Sequence, residues 1–197
     1  MFAQVIKGRV KDEAGLRKQI DDWVENIRPG AQGFLGSTSG VSKDGTWITV
    51  ARFESEEAAR RSSDRPEQSK WWSETEQYLD DVTFDDCAQV DEMLGGGSND
   101  AGFVQVIEGR AKDVEKLRTM GREMEPQLRR MRPDVIGGIA AWHGDGKTFT
   151  QVMYFRSEAA AREGESNMNS NQGEPASDWT DLFEDVSYID LPEPLLI

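Results

Sequence analysis

Half-cystine chemistry is closed to this chain, because its 197 residues contain one cysteine, Cys87. A lone thiol forms no internal disulfide, and a reducing cytoplasm is the expected setting. Histidine is equally scarce, with His143 alone, so His/Cys-spaced metal sites are excluded. No run reaches the ~18–20 apolar residues that cross a bilayer. The opening MFAQVIKGRVKDEAG has no basic start, apolar stretch or small-residue cleavage site of the secretory kind. Phosphate loops, G-x-S-x-G elbows and dinucleotide fingerprints are missing too. Positive charge is in deficit: the net charge is −14, with 12 basic and 19 acidic residues in 1–97 and 11 and 18 in 98–197. An evenly acidic surface repels phosphate backbones and anionic lipid, so neither nucleic acid nor membrane is an expected partner.

What the sequence does have is a repeat. FAQVIKGRVKDEAGLR (2–17) returns as FVQVIEGRAKDVEKLR (103–118), with ten of sixteen positions identical at an offset of 101. WITVARFESEEAAR (47–60) returns as FTQVMYFRSEAAAR (149–162), and DDVTF (80–84) as EDVSY (184–188). A period near 101 is too long for a solenoid and suits two small domains. They are expected at 1–92 and 103–197, joined by a Gly/Ser linker at 93–102 built around Gly95-Gly96-Gly97-Ser98-Asn99.

Each copy reads in the same order. A short strand rich in apolar and β-branched residues leads to a helix with Asp12 as its N-cap in the first copy. Leu16, Ile20, Trp23, Val24 and Ile27 recur at helical spacing, as do Leu117, Met120, Met124, Leu128 and Met131. Both helices are expected to end near Arg-Pro pairs, Arg28-Pro29 and Arg132-Pro133. A hairpin follows in each copy, turning at Lys43-Asp44-Gly45 and Gly144-Asp145-Gly146. A second helix starts after Ser55 or Ser157, and a last strand passes through Val82-Thr83-Phe84 or Val186-Ser187-Tyr188. The sum is α+β: two ferredoxin-like βαββαβ domains in tandem. The first strand is partly apolar on both alternating sets, Phe2, Ile6 and Val10 against Ala3 and Val5, and so wants cover on both faces. The expectation is therefore that the two sheets pack face to face. Such a chain would be a monomer with an internal pseudo-dimer, at most a weak homodimer.

This order, with QVIKGRVKDEAGL and the F-x-S-E-x-A-A-R junctions at Phe53–Arg60 and Phe155–Arg162, resembles the dimeric α+β barrel superfamily. It is most similar to its antibiotic biosynthesis monooxygenase-like domains, over 2–90 and 103–190. The resemblance implies a fused barrel with a pocket between sheet and helices. It also implies cofactor-independent monooxygenation of a small aromatic or quinone-like compound, with no cofactor or metal. A non-catalytic small-molecule-binding or stress-related module that keeps the barrel without chemistry is the alternative, because the fold hosts many activities. Many relatives carry Ala-His on the second helix, where this chain has Arg61-Ser62 and Glu163-Gly164, and a haem ligand is not expected.

Five residues are candidates within that frame. Gln4 and Gln105 recur on the first strand of each copy, either to hold a substrate oxygen or to satisfy the sheet. Trp71, unmatched in the second copy, and Trp142 are candidates to stack on a ring. His143 is the one side chain whose ordinary pKa suits a catalytic base near neutrality. Trp142 and His143 are adjacent, however, and adjacent strand residues face opposite sides. Trp23 and Trp47 read as core, Trp72 and Trp179 as a shared packing pair. The polar stretches 62–70 and 163–179 are candidate lids or plain connections.

Overall fold

The computed structural model describes residues 1–170 and 181–197, and the chain divides into two compact units, Met1–Gln89 with Leu195–Ile197, and Val90–Pro194. The first contains β1 (Phe2–Val10), α1 (Glu13–Asp22), β2 (Phe34–Val41), β3 (Thr46–Phe53), α2 (Glu56–Ser63), α3 (Pro66–Thr75) and β4 (Leu79–Cys87). A fifth strand, β10 (Leu195–Leu196), completes its sheet in the order β10-β2-β3-β1-β4. The second contains β5 (Gln89–Met93), β6 (Phe103–Ala111), α4 (Val114–Met131), β7 (Val135–Trp142), β8 (Thr148–Phe155), α5 (Glu158–Ser170) and β9 (Phe183–Leu191). Its sheet runs β5-β7-β8-β6-β9. The duplicated α+β order is thus present twice. Each sheet also gains an edge strand that the repeat does not contain.

Local chemistry explains the shared elements. Asp12 and Asp113 sit in extended backbone and accept from the amides of Gly15 at 3.1 Å and Lys116 at 3.0 Å, opening α1 and α4. Ser55 and Ser157 do the same for α2 and α5 through Ala58 at 3.1 Å and Ala160 at 3.2 Å. The two hairpins turn on Gly45 and Gly146, with φ of 82° and 68°, a region open to glycine at little cost. Asp145 tightens the second turn by accepting from the amides of Lys147 and Thr148 at 2.9 and 2.8 Å. Both sheets carry the same irregularity. The register of β1 on β4 shifts between Lys7 and Arg9, that of β6 on β9 between Glu108 and Arg110. Asp81 and Asp185 absorb it with φ of 52° and 55°.

The two copies differ at the first helix. In the second unit α4 runs eighteen residues without a break. In the first, α1 gives way to a π-helical turn, Trp23–Ile27, then a 3-10 turn, Arg28–Gly30. Trp23, at the start of the wider turn, lies on the same face as Leu16 and Ile20 and meets the sheet. Leu16, Trp47 and Leu79 form one apolar cluster between helices and sheet, and Phe2, Phe53, Ala58 and Ala59 a second. In the second unit the corresponding clusters centre on Leu117, Trp142 and Phe149, and on Phe103, Val135 and Phe155. The other alternating set is buried as well, including Ala3, Val5, Ile48, Val50, Val104, Val106, Ile139 and Val152.

Candidate functional site

The first unit holds a cavity of about 90 Å³ between its sheet and its helices. Alternation along three strands aims one face at it: Gln4 and Ile6 from β1, Ser37 and Ser39 from β2, and Trp47, Thr49, Ala51 and Phe53 from β3. The helical side contributes Ile20, Trp23, Gln68 and Trp71, with Ser62 and Ser63 at the end of α2. Ile197, beyond β10, lines one end.

Aromatic rings dominate this space, and each is fixed by a neighbour. Trp23 meets Phe34 edge-on at 5.1 Å and lies 6.3 Å from Trp71, while Phe34 meets Phe53 edge-on at 5.6 Å. Such tilted geometries are the favoured ones for ring quadrupoles. The indole N–H groups are all engaged: Trp23 donates to Gln68 Oε1 at 2.8 Å, Trp71 to the Gln19 carbonyl at 2.7 Å, and Trp47 to Ser39 Oγ at 3.1 Å. A ring whose polar edge is tied down offers a ligand its face. The Arg65 guanidinium, just before α3, donates to the Ile27 carbonyl at 2.8 Å and holds the end of the π-turn.

The polar side chains described along the cavity wall carry no charge. Ser39 Oγ and Thr49 Oγ1 lie 2.5 Å apart on paired strands. Gln4 Nε2 donates to Asp86 Oδ1 at 3.0 Å, across the β1–β4 register. Among the described lining residues there is no Asp, Glu, His, Lys, Arg, Cys or Tyr. On the opposite face of the sheet, burial, reinforced by Asp85 and Asp86, pushes the Cys87 thiol up to about 12, which disfavours the thiolate.

The candidates from sequence separate accordingly. Gln4 and Trp71 line the cavity of the first unit; Gln105, Trp142 and His143 belong to the second. Gln105 donates to Asp190 Oδ1 at 3.0 Å, repeating the Gln4–Asp86 pair. There the carboxylate also holds Arg162, whose guanidinium stands 5.2 Å over Phe103. Trp142 is buried against Phe149 and donates to Asp91 Oδ2 at 2.8 Å. Asp91 is partly desolvated, which raises a carboxyl, but hydrogen bonds from Arg118 and Trp142 outweigh that and hold it below the usual range. His143 follows β7 and bonds Thr150 Oγ1 through Nε2 at 2.8 Å. Phe149 and Thr150 are consecutive on β8, so Trp142 and His143 serve opposite faces. Among the candidate lids, 62–70 supplies Ser62, Ser63 and Gln68 to the cavity. Residues 163–170 belong to α5, and 171–179, with Trp179, lie outside the described residues.

The same positions differ between copies. By strand register Thr49, Ala51 and Ser39 correspond to Gln151, Met153 and Ala140. Gln151 Nε2 lies 3.3 and 3.2 Å from the sulfurs of Met93 and Met153. The hydroxyl pair of the first unit therefore has no equivalent in the second. Trp23 and Trp47 looked like core residues in the sequence, and Phe34, Ser39 and Thr49 gave no functional signal. Only the alternation Ser37-x-Ser39 opposite Thr49 marked a polar lane on an otherwise apolar face.

No family model and no curated protein matches the sequence. Solved structures do. A protein of Fusobacterium nucleatum subsp. nucleatum, named provisionally as a monooxygenase, superposes with a TM-score of 0.75 at 11% identity, covering 99% of this chain and 93% of that one. A Lactobacillus acidophilus protein of the same provisional name gives 0.72 at 10% identity, covering 100% and 98%. An anthrone oxidase-like protein gives 0.61 at 8% identity, covering 99% and 92%. The fold is thus the monooxygenase-like α+β fold in its tandem form, shared along the whole chain. At these identities the likeness is one of architecture.

Proposed function

We propose that the first unit binds a small, uncharged, flat aromatic or quinone-like compound between its sheet and helices, and that its chemistry is cofactor-independent monooxygenation. The observation that supports this most is the cavity wall itself: Trp23, Phe34, Phe53 and Trp71 around neutral hydrogen-bonding groups. A charged ligand would be desolvated there without a counter-charge from any described lining side chain. A planar ring gains contact with several aromatic faces.

In a reaction of this kind the substrate supplies the electrons. With an anthrone, dioxygen oxidises the ring methylene to a carbonyl; one oxygen atom stays in the product and the other leaves in water. The protein's share is to hold the ring, orient it and exclude solvent. Trp71 and Trp23 are assigned to the ring and Gln4 to a substrate oxygen. Gln105 and Trp142, bound to Asp190 and Asp91, are assigned to holding the second unit together. The second reading, binding without turnover, is favoured by the lack of an acid or base among the described lining residues. His143, the candidate base, belongs to the other unit.

Oxygen uptake on EDTA-treated protein, with a panel of hydroquinones and anthrones, separates the two. Turnover that Trp71→Ala reduces about tenfold or more, a loss of ~1.4 kcal/mol, supports the oxygenase. Compounds that raise the melting temperature with dose but consume no oxygen leave the binding reading standing. If no compound does either, both readings fail.

A further inference from the structure

We infer that Asp86 fixes the polarity of the Gln4 amide, so that the cavity recognises a ligand with a hydroxyl donor at the Gln4 end and an acceptor at the Ser39–Thr49 end; this rests on reading the cavity as a ligand site. A carboxylate has only lone pairs, so the end of Gln4 that meets Asp86 Oδ1 at 3.0 Å is its NH₂. In the order β10-β2-β3-β1-β4, Asp86 stands on the outer strand, and β4 contributes no described lining residue. The nitrogen is therefore drawn outward and the carbonyl oxygen is turned towards β3 and the cavity. No donor among the described residues meets that oxygen.

A proton count settles the other end. Trp47 Nε1 can only donate, so Ser39 Oγ accepts from it at 3.1 Å. Ser39 and Thr49 then share one hydrogen bond at 2.5 Å. Two hydroxyl protons are available and that bond uses one. Whichever residue donates, one proton remains, on an oxygen that lines the cavity. Gln4 pairs with Ala51 on β3, two residues from Thr49, so the two ends are diagonal neighbours on one sheet face, roughly 7–8 Å apart at Cα.

A phenol with a second oxygen across its ring satisfies both ends. An aryl ether or a quinone offers acceptors only and leaves the Gln4 carbonyl without a partner, a loss large enough to read as selectivity, which narrows the proposed class to its phenols. The device belongs to the first unit. Gln105 and Asp190 repeat the oriented amide, but Ala140 and Gln151 replace the hydroxyl pair.

Two neutral probes of similar shape test it: 4-methoxyphenol, with a donor and an acceptor, and 4-fluoroanisole, with the acceptor but no donor. Calorimetric titration of the full chain should show 4-methoxyphenol bound about tenfold or more tighter. Asp86→Asn, an exposed change, lets the neighbouring amide turn over, because Asn both donates and accepts. The preference should fall towards one, with 4-fluoroanisole affinity unchanged. Gln4→Leu should abolish it as well, and removing both hydroxyls, Ser39→Ala with Thr49→Val, should weaken both probes equally. Equal binding of the probes to the wild type, or a preference that survives both Asp86→Asn and Gln4→Leu, overturns the inference alone. Failure of both probes to bind overturns the ligand reading and this inference with it.

Discussion

At the scale of single residues, the hairpin aspartates show how much one side chain organises. Asp145 accepts from the Lys147 and Thr148 amides and from the Thr148 hydroxyl at 2.8 Å, with Arg110 beside it. Those bonds, the backbone ones first, hold its carboxyl well below the usual carboxylate value. A depressed folded pKa means that the unfolded chain takes up the proton more readily. The stabilisation is thus fully present above the unfolded value of about 4, and it is lost as pH falls through the folded value. Asp145→Asn keeps an acceptor but cannot ionise. Thermal unfolding between pH 2 and 6 should therefore show wild type above the variant at pH 6, with the gap narrowing towards pH 2. A gap independent of pH would mean that the turn does not depend on the charge. The corresponding Asp44, held by Ser42 and Thr46, is lowered for the same reason. Both turns were legible as Asp-Gly in the sequence. The partners of Trp71 were not, because a bond from an indole to the carbonyl of Gln19, fifty-two positions earlier, leaves no local pattern.

At the scale of elements, the strands and helices that repeat were legible because their causes are local: capping Asp and Ser, Asp-Gly turns, apolar spacing. What escaped was set by long-range contact. The π-turn at Trp23–Ile27 lies inside a run that looks like ordinary helix, and β5 and β10 are short strands whose pairing partners are distant. Two glycines record where those edge segments arrive. A Cβ on Gly36, at φ 130°, would lie 2.5 Å from the Ile197 carbonyl oxygen. A Cβ on Gly137 would lie 2.2 Å from that of Gly96. Each follows a register shift, between Phe34 and Gly36 and between Val135 and Gly137. Gly36→Ala should thus destabilise the protein by about 1–3 kcal/mol, through strain at positive φ and displaced backbone. Gly121 is the opposite case: it sits within α4 with nothing inside 4 Å of its Cβ position. Gly121→Ala should stabilise by about 0.5–1 kcal/mol. Urea unfolding of the pair reads both signs, and a neutral Gly36→Ala would show that the edge segment yields freely.

At the scale of the whole chain, duplication explains the fold but not the site. Two copies of one order give two sheets of one topology, and that much was written in the offset of 101 residues. The cavity walls diverged at positions a repeat comparison passes over, Thr49 against Gln151 and Ala51 against Met153, where side-chain size and polarity change but strand character does not. The edge strands cross the boundary that the repeat suggests. Residues 195–197 complete the first unit's sheet, although they follow the second copy in sequence. Leu195 and Leu196 pair with Ser39 and Thr38, and Ile197 exchanges two backbone hydrogen bonds with Ser37 at 2.9 and 3.0 Å. Ile197 also lines the cavity. Deleting 195–197 therefore strips an edge from β2, the strand that carries Ser39, and opens the ligand space at the same stroke. The sheet retains β2-β3-β1-β4, so the fold should survive with a lower melting temperature. Binding of 4-methoxyphenol should weaken about tenfold or more, equivalent to ~1.4 kcal/mol, because the site loses both a wall and the fixed position of one anchoring strand. The control is Ile197→Ala, which keeps the backbone pairing and removes the wall alone; it should cost less than the deletion in both affinity and stability. If the truncated chain binds as tightly as the full one, the C-terminal strand is an ornament of the sheet and the cavity is built by the first copy unaided.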